Sequence, residues 1–398
     1  MNADFIRQLP KAELHVHLDG SLRLQTLIEL AQQQKVELPS YTQEGMRELV
    51  YKKDYKDLQD YLRGFTYAIR VLQDAESIER GAYEFALDVA ADGVCYVEAR
   101  FAPHHHINER LGYADIFQAV NKGFLRAKKE INIKYPDRPA FTYGLIACIM
   151  RFFRPEYGSY YKALASVLPK TSLVGLGVAA ANDLVAALVE IKNKQGIPIV
   201  AVDLAGSEDG NPARPFQEVF SLARQNGIEL TVHAGEAYGA ESIFDAVMRL
   251  NAARIGHGYE LFNKEMILDK VSDKKKYINI LAQDMSQRTI TCEMCLTSNS
   301  QTNPAMRDLK NHPIMQFVHA GIPVMLNTDN RLVSNTTLTN EYQIFSELFK
   351  PSIRLLRRMI MTGFHASFYP GTSNDKHKYV KQVVYALDEK LAQFAPGK

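Results

Sequence analysis

The chain has 398 residues, of which 46% are hydrophobic and 23% charged, a composition typical of a globular protein that excludes disordered and fibrous classes. Its 47 basic and 45 acidic side chains leave a formal net charge of +2, too small a field to attract a polyanion, so we expect no nucleic-acid partner. We expect no stretch to reach the roughly 20 apolar residues that span a bilayer, and therefore no membrane partner.

Eight short segments rich in β-branched or other apolar residues recur along the chain. They span residues 12–19, 93–102, 141–150, 197–206, 229–236, 254–258, 288–295 and 322–329. Helical patterns fill most of the intervals: residues 24–31 carry one apolar stripe at helical spacing, and residues 217–225 and 242–250 show the same pattern. Strands and helices alternating in this number predict an α/β fold of the (β/α)8 TIM-barrel type.

The chain is longer than a minimal barrel of about 250 residues. We expect the surplus in helical insertions at about 20–92 and 151–195, the first of which would lie over the mouth of the barrel, and in a helical C-terminal tail. The candidate site residues run from His15 to Asp329, and residues that share one site cannot be divided among independent domains. The sequence therefore predicts a single domain over residues 1–398.

Two histidines in the first predicted strand are candidate metal ligands. His15 and His17 lie one residue apart, and a strand directs residues i and i+2 to the same face, so both imidazoles can reach one ion. His233 in the fifth predicted strand and Asp329 at the end of the eighth complete a set of three imidazoles and one carboxylate. Such a set suits zinc and leaves a position for water, which is typical of a hydrolytic site.

Two further residues at strand ends are candidates for proton transfer. Zinc lowers the pKa of a bound water to about 7. Attack on carbon then needs a base for the water proton and an acid for the atom that gains electrons. His257, at the end of the sixth predicted strand, and Glu236, three residues after His233, suit these roles. We expect Asp329 to accept a hydrogen bond from the attacking hydroxide in addition to binding the ion.

Other polar residues have simpler interpretations. Three consecutive histidines at 104–106 cannot all face one ion from an extended chain, and we interpret them as peripheral. Cys292 and Cys295 form a C-x-x-C motif without a second pair, so buried thiols are favoured over a redox or zinc site. The glycines of residues 175–180 lack a βαβ unit of their own, and we interpret them as a turn. His312 is assigned no role.

Localisation is predicted from the N-terminus and the cysteines. The first ten residues lack the basic start and apolar core of an export signal. The four cysteines suit a reducing compartment in which thiols stay free. We therefore expect a cytoplasmic protein.

In chain order, four motifs closely resemble those of the adenosine deaminase family of the amidohydrolase superfamily. They are His-Val-His-Leu-Asp-Gly-Ser at 15–21, Thr-Val-His-Ala-Gly-Glu at 231–236, Arg-Ile-Gly-His-Gly at 254–258 and Asn-Thr-Asp at 327–329. Two further matches are Tyr-Val-Glu-Ala-Arg-Phe-Ala-Pro at 96–103 and Val-Asp-Leu-Ala-Gly at 202–206. The resemblance implies zinc-dependent hydrolysis at purine carbon 6, which converts adenosine, or 2'-deoxyadenosine, to the inosine product and ammonia.

The resemblance also implies roles for individual residues. It implies that His15, His17, His233 and Asp329 bind zinc, as their donor chemistry also suggests. It implies that Glu236 protonates purine N1 and that His257 orients and helps to deprotonate the attacking water. It further implies that Gly206 offers its backbone N–H to purine N3. Asp19, together with His17, would contact the substrate, with the Asp19 carboxylate on the ribose hydroxyls.

Asn330 departs from the family pattern, because better-known members carry there a second Asp that must be protonated to donate to purine N7. An Asn amide supplies donors without a pKa shift, so we assign Asn330 to substrate binding. The departure leaves adenine, or a modified or 5'-substituted adenosine, as alternative substrates. Outside enzymes, the alternative is a catalytically inactive binding or signalling protein on the same barrel.

Two further features of the sequence bear on the number of metal ions and on the substrate. The fourth predicted strand lacks the lysine that bridges two ions in related hydrolases, which favours one zinc ion per chain. Asp19 near the ribose would repel a phosphate, which favours a small-molecule purine nucleoside over a nucleotide. The sequence leaves the oligomeric state open.

Overall fold

The computed structural model describes residues 2–268 and 271–394, and these contain an eight-stranded parallel sheet. Its strands are β1 (Lys11–His17), β2 (Val94–Phe101), β3 (Thr142–Met150), β4 (Ile199–Ala205), β5 (Glu229–Ala234), β6 (Arg254–His257), β7 (Thr291–Met294) and β8 (Val324–Leu326). Each strand pairs in parallel with the next one along the chain. The predicted (β/α)8 barrel is thereby confirmed.

The seam between β1 and β8 is closed by backbone contacts at candidate ligand residues. The His17 N–H donates to the Asp329 carbonyl at 2.7 Å, and the Asp329 N–H donates to the His15 carbonyl at 3.0 Å. Below them, the Asn327 side-chain oxygen accepts the N–H groups of Leu14 at 2.9 Å and His15 at 3.1 Å. Residues from the two ends of the chain therefore meet at one edge of the barrel.

All eight predicted strand segments overlap an observed strand, and the largest differences in length are at β7 and β8. The predicted segments 288–295 and 322–329 contain strands of four and three residues. At the start of β7, Arg288 is the C-cap of the preceding helix and Thr289 has φ +54°, so the extended conformation begins only after them. At the end of β8, Asp329 has φ +61°, which takes the chain out of the extended conformation.

The helices surround the barrel or extend it. Within the described residues they are α1 (Ala3–Gln8), α2 (Leu24–Gln34), α3 (Gln43–Leu49), α4 (Leu58–Val71), α5 (Ala75–Ala91), α6 (Tyr113–Lys134), α7 (Ser159–Val167), α8 (Leu173–Gln195), α9 (Gln217–Gln225), α10 (Ala240–Phe244), α11 (Lys274–Gln287), α12 (Leu296–Thr302), α13 (Ile314–His319), α14 (Leu338–Phe349), α15 (Ile353–Ala366) and α16 (Ser373–Phe394). Helix α9 coincides with its predicted segment, and a π-helical turn at 245–249 extends α10. Helices α14 to α16 form the predicted helical tail.

Helix α4 lies over the carboxyl ends of the strands. Its residue Phe65 contacts the His17 ring edge-to-face, with ring centroids 5.9 Å apart. Its residue Tyr61 is buried and receives a hydrogen bond from Asn330, which follows β8. The segment before β2 therefore covers the mouth. The division of the chain into one domain with insertions at 20–92 and 151–195 stays a prediction.

Helix α8 corrects two interpretations made from the sequence. The glycines of residues 175–180 lie inside this helix and not in a turn, because the Ser172 side chain accepts the Gly175 N–H and starts the helix before them. The helix is also long and apolar enough to cross a bilayer, so the expectation that no segment reaches that length was wrong. Its buried face contacts β3, α6 and α9, the position of an outer helix of the barrel.

Candidate active site

Four side chains at the carboxyl ends of β1, β5 and β8 converge. His15, His17, His233 and Asp329 each offer a ligand atom, and these atoms all lie within 4.8 Å of one another. The Nε2 atoms of His17 and His233 are 3.3 Å apart. Asp329 Oδ1 lies 3.3 Å from His15 Nε2 and 3.5 Å from His17 Nε2. The structure therefore brings together the four residues that the sequence predicts as ligands.

The unpaired atoms of this cluster fit a metal ion. His15 Nε2 is buried without a hydrogen-bond partner, and a buried polar atom in that state is costly unless a ligand engages it. Burial lowers the pKa of His17 and of His233, so these imidazoles are neutral at physiological pH, the form that binds a metal. Imidazole nitrogens and carboxylate oxygens are also donors that catalytic zinc sites use. The residues present therefore fit a divalent ion of this kind.

Two buried carboxylates, which the sequence reasoning did not single out, orient two of these imidazoles. Glu293 Oε2 lies 2.9 Å from His15 Nδ1, and Asp203 Oδ2 lies 2.9 Å from His233 Nδ1. A carboxylate at Nδ1 holds the proton on that atom and leaves Nε2 free for a metal. Each acid is the one charged residue of its strand, β7 or β4, and that isolated charge is the signal that could have identified it.

These carboxylates belong to an ion-pair network inside the barrel, formed by Glu98, Arg100, Asp203, Arg254 and Glu293. Arg100 contacts Asp203 at 3.1 Å and Glu293 at 2.8 Å, while Arg254 contacts Glu293 and Glu98 at 2.6 Å each. Burial raises the pKa of the Glu293 carboxyl, but Arg100 and Arg254 outweigh it and hold that pKa well below its ordinary range. The acids that orient the ligands therefore stay charged.

Glu236 lies two residues beyond β5, at the edge of the cluster. Gly235 has φ +71° and bends the chain there, and a Cβ on Gly235 would lie 2.6 Å from the Ile243 side chain, so only glycine fits. Burial raises the pKa of Glu236 well above its ordinary value, and the nearby carboxylates of Asp329 and Glu208 raise it further. The surroundings of Glu236 therefore favour its protonated form, the form that can donate a proton.

Glu208 holds the loop that carries Glu236. Its two carboxylate oxygens accept the backbone N–H groups of residues 235–238 at 2.7 to 3.2 Å and the Ser242 hydroxyl at 2.5 Å. Charge-assisted bonds of this kind are stronger than neutral ones, and here five of them fix one short segment. The sequence reasoning missed Glu208, although an acid two residues after the Val-Asp-Leu-Ala-Gly motif is a visible signal.

His257, the last residue of β6, reaches the same cluster. Its Nε2 lies 3.7 Å from Glu236 Oε1, and its ring centroid lies 4.8 Å from that of His15. Its backbone has φ +64°, in the left-handed region that Asp329 also occupies with φ +61°. Non-glycine residues in this region carry strain, which is characteristic of functional positions. The structure thus brings the predicted proton-transfer pair to the predicted ligands.

The substrate-binding candidates Asp19 and Asn330 each have a buried side-chain oxygen at the mouth that accepts no hydrogen bond. Asp19 Oδ2 accepts the Ala102 N–H at 3.3 Å, while Oδ1, 4.0 Å from His17 Nδ1, has no hydrogen-bond partner. Burial raises the pKa of Asp19 to about 6. The Asn330 amide nitrogen donates to the Tyr61 hydroxyl at 2.8 Å, and its Oδ1 has no partner. Both oxygens are able to accept a hydrogen bond from a ligand.

Gly206, the third of these candidates, directly follows β4. It has φ +93°, and a Cβ there would lie 2.7 Å from the Phe152 ring, so both the conformation and the space require glycine. Its position at the carboxyl end of β4 places its backbone at the mouth. Its contact with purine N3 stays a prediction.

The side chains interpreted as peripheral lie outside the ligand group. His104 Nε2 lies 3.1 Å from the Ala180 carbonyl, and His106 Nδ1 lies 2.9 Å from the Leu72 carbonyl. Cys292 and Cys295 are buried free thiols.

Comparisons with known proteins agree with the motifs. The adenosine deaminase family model matches residues 10–189 and 178–385. An adenosine deaminase of Clostridium perfringens is 34% identical over 371 residues, covering 93% of this chain and 97% of its own length. Among solved structures, an adenine deaminase from Arthrobacter aurescens has a TM-score of 0.73 at 20% identity and covers 96% of this chain and 99% of its own. An arabidopsis N6-mAMP deaminase has a TM-score of 0.72 at 22% identity and covers 97% of this chain and 99% of its own.

Proposed function

Because this chain belongs to the adenosine deaminase family and is thus a hydrolase acting on C–N bonds, we propose that it is a zinc-dependent deaminase of adenosine and 2'-deoxyadenosine. One observation carries the proposal. The ligand atoms of His15, His17, His233 and Asp329 converge within 4.8 Å, and beside them Glu236 has a pKa raised well above its ordinary value. A metal-binding cluster next to a proton donor suits hydrolytic attack on a purine ring.

His15, His17, His233 and Asp329 would hold the zinc ion. When bound, zinc lowers the pKa of water to about 7 and so makes hydroxide available near neutral pH. The mixed nitrogen and oxygen donors support zinc over calcium or magnesium, which prefer oxygen alone. Within residues 2–268 and 271–394 this is the one such group found, which supports one ion per chain.

The chain's own residues would manage the protons and the leaving group. Attack of a water-derived oxygen on carbon 6 shifts an electron pair to N1, and Glu236 donates its proton there. The carbon 6 to nitrogen bond then breaks and ammonia leaves. One water proton becomes the third hydrogen of ammonia and the other restores Glu236, so adenosine and water give inosine and ammonia.

Asp19 supports a nucleoside in preference to a free base or a nucleotide. Its buried Oδ1 lacks a partner, and a ribose hydroxyl would supply the missing hydrogen bond. Among the described residues, no Lys or Arg forms an ion pair with Asp19. A phosphate placed there would face an uncompensated negative charge, at a cost on the order of a few kcal/mol.

Asn330 keeps a second group of substrates under consideration, namely adenine and modified or 5'-substituted adenosines. Its amide nitrogen donates one of its two hydrogens to Tyr61, which leaves one N–H for purine N7, while its free Oδ1 is an acceptor that N7 cannot use. The alternative of a binding protein without turnover has less support, because Glu236 and His257 both lie at the cluster.

A substrate panel tests the proposal. Purified protein loaded with zinc would be given adenosine, 2'-deoxyadenosine, adenine, a 5'-substituted adenosine, AMP and N6-methyl-AMP, with release of the amine followed directly. We expect the highest kcat/KM for adenosine, with 2'-deoxyadenosine next. Higher kcat/KM for adenine or for a nucleotide would replace the proposed substrate, and no turnover of any member would contradict deamination.

A further inference from the structure

Three buried polar side chains form a row that leads from His257 away from the ligand cluster. Asn299, on α12, places its amide nitrogen 3.0 Å from His257 Nδ1. His312, just before α13, places Nε2 3.2 Å from the Asn299 side-chain oxygen. The backbone N–H of Ile314 lies 3.2 Å from His312 Nδ1. Asn299 is fully buried, and His257 and His312 are 1% and 3% exposed.

The far end of the row fixes the direction of its hydrogen bonds. The Ile314 backbone N–H can only donate, so His312 Nδ1 must accept and carries no proton. The single proton of the His312 ring is therefore on Nε2. Burial lowers the pKa of His312 to about 3, in keeping with a ring that does not take up a second proton. His312 Nε2–H consequently donates to Asn299 Oδ1.

The orientation of Asn299 carries this direction to His257. Because the amide oxygen of Asn299 faces His312, its NH2 group faces His257, and an amide NH2 group can only donate. His257 Nδ1 must therefore accept, and the ring proton is on Nε2. That Nε2–H points toward the catalytic side of the ring, where Glu236 Oε1 lies 3.7 Å away.

We infer that Asn299 and His312 are positioning residues that hold His257 as its Nε2–H tautomer, so that His257 donates a hydrogen bond to the oxygen attacking carbon 6. The inference rests on the proposed deaminase function for the identity of that oxygen. It replaces the role of base that the sequence suggests for His257, since Nε2 already carries a proton. Asp329 is then the group that accepts the water proton. Its Oδ2 also accepts a hydrogen bond from the Ser298 hydroxyl, at 2.6 Å.

The tautomer is measurable without substrate. Zinc-loaded protein labelled with 15N in its histidines would be examined by long-range 1H–15N NMR, with the His257 and His312 signals assigned from His257→Gln and His312→Gln variants. We expect both rings to show a protonated Nε2 and an unprotonated Nδ1. A protonated Nδ1 in His257 would overturn the inference, whatever the substrate proves to be.

Substitution of Asn299 tests the consequence for catalysis. In Asn299→Asp the carboxylate only accepts, so it draws the His257 proton to Nδ1 and reverses the tautomer. We expect kcat for adenosine to fall about 10- to 100-fold, the range seen when outer partners of a site are removed, with little change in KM. The control Asn226→Asp adds the same charge at an exposed helix end and should keep the activity of the parent protein.

Two substitutions of His312 keep the test decisive if Asn299→Asp does not fold. His312→Gln retains an acceptor for Ile314 and a donor for Asn299, and it should keep most of the activity and the Nε2–H signal of His257. His312→Leu removes both and should lower kcat while zinc content stays unchanged.

Equal kcat in the Gln and Leu variants, or an unchanged kcat in a folded Asn299→Asp, would overturn the inference. Absence of adenosine turnover together with an Nε2–H signal would instead contradict the proposed function alone.

Discussion

The mouth of the barrel lies at the carboxyl ends of the strands, and its floor is the part of the interior below the ligand cluster. Both are built from buried polar side chains, and they differ in how completely those side chains are paired. At the floor, both Glu98 oxygens are engaged, by Arg254 at 2.6 Å, the Phe368 N–H at 2.5 Å and the Tyr96 hydroxyl at 2.9 Å. Arg254 also donates to the Ala366 carbonyl and stacks over the Phe368 ring at 3.7 Å. Glu98 and Arg254 thus form a closed set of ion pairs and hydrogen bonds, although Arg100 Nε in the same network has no hydrogen-bond partner.

At the mouth, three of the predicted site residues each have a buried atom without a hydrogen-bond partner, namely His15 Nε2, Asp19 Oδ1 and Asn330 Oδ1. Most buried polar groups in folded proteins are hydrogen-bonded, so a concentration of unpaired atoms at one end of a barrel indicates where ligands bind. Residue type alone does not separate the two ends, because carboxylates and bases occur at both. What marks the mouth is that three residues predicted to bind the metal or the substrate each have an unpaired atom there.

Removing a ligand at the mouth is expected to have the largest effect. In His17→Ala the metal loses one of three imidazoles, and we expect zinc content and deamination both to fall below detection, while the folded state persists because the floor is untouched. Metal analysis and circular dichroism on the same sample check this. His319→Ala, an exposed histidine elsewhere, is the matched control, and full zinc content in His17→Ala would contradict the ligand assignment.

Removing the proton donor should affect turnover without affecting metal binding. Glu236→Gln keeps the shape of the side chain but cannot supply a proton, and we expect kcat to fall by about 10²- to 10⁴-fold with KM within a few-fold of the parent value. Steady-state kinetics with zinc analysis measure both. A loss smaller than tenfold would assign the proton transfer to another group.

Removing the charge of Glu293, which contacts both the ligand His15 and the arginines of the interior network, should weaken stability and metal binding together. Glu293→Gln leaves Arg100, Arg254 and His15 without their carboxylate, and we expect about 3–5 kcal/mol of lost unfolding free energy and about 10- to 100-fold weaker zinc binding. Urea unfolding and zinc titration measure the two effects. The exposed Glu190→Gln serves as control and should change neither, since its pair with Lys194 is exposed to solvent.

Changing the support of the acid loop should have a smaller and pH-dependent effect. Glu208 raises the pKa of Glu236, so in Glu208→Gln that pKa falls. Activity requires protonated Glu236 and is lost as pH rises through its pKa, so the alkaline limb of the pH profile should move to lower pH. We expect kcat at neutral pH to fall on the order of tenfold. An alkaline limb that does not move would show that Glu208 acts on the loop alone.

At the floor, the smallest effect concerns Lys11, at the start of β1. Burial lowers the pKa of Lys11 to about 8, and its ammonium donates to the Ile6 and Leu9 carbonyls at 2.7 and 3.1 Å. The unfolded chain therefore binds more protons between pH 8 and 10.5, and the stability contributed by Lys11 increases with pH across that window, by at most about 3 kcal/mol.

The difference in unfolding free energy between the parent protein and Lys11→Met, measured in urea at several pH values, isolates this contribution from other titrating groups. It should shift in favour of the parent protein as pH rises from 8 to 10.5. A difference that does not change with pH would show that Lys11 keeps its ordinary pKa in the folded state.

Much of the mouth could be predicted from the sequence, because its key residues occur in short motifs at the ends of apolar segments. The i, i+2 spacing of His15 and His17 and the chemistry of the donor set were sufficient to group the ligands. The floor was not predicted. Arg100, Glu293 and Arg254 pair across strands distant in the sequence, and no local pattern indicates which buried charges meet.

The same limit explains His312, which was assigned no role, and α8, whose glycines were interpreted as a turn. The contact of His312 with Asn299 depends on how the segment before α13 packs on α12, which is a tertiary property. The start of α8 depends on the cap at Ser172, which outweighs the weak helix preference of Gly175 and Gly177.

The seam between β1 and β8 has a consequence for biosynthesis. Leu14 and Asn327, which pair there, are 313 positions apart, and contacts between such distant residues form late because closing a long loop costs entropy. A ribosome must release most of the polypeptide before the imidazoles of the first strand can meet the aspartate of the last. Until then the side of β1 that faces β8 is an unpaired strand edge, prone to association with other chains.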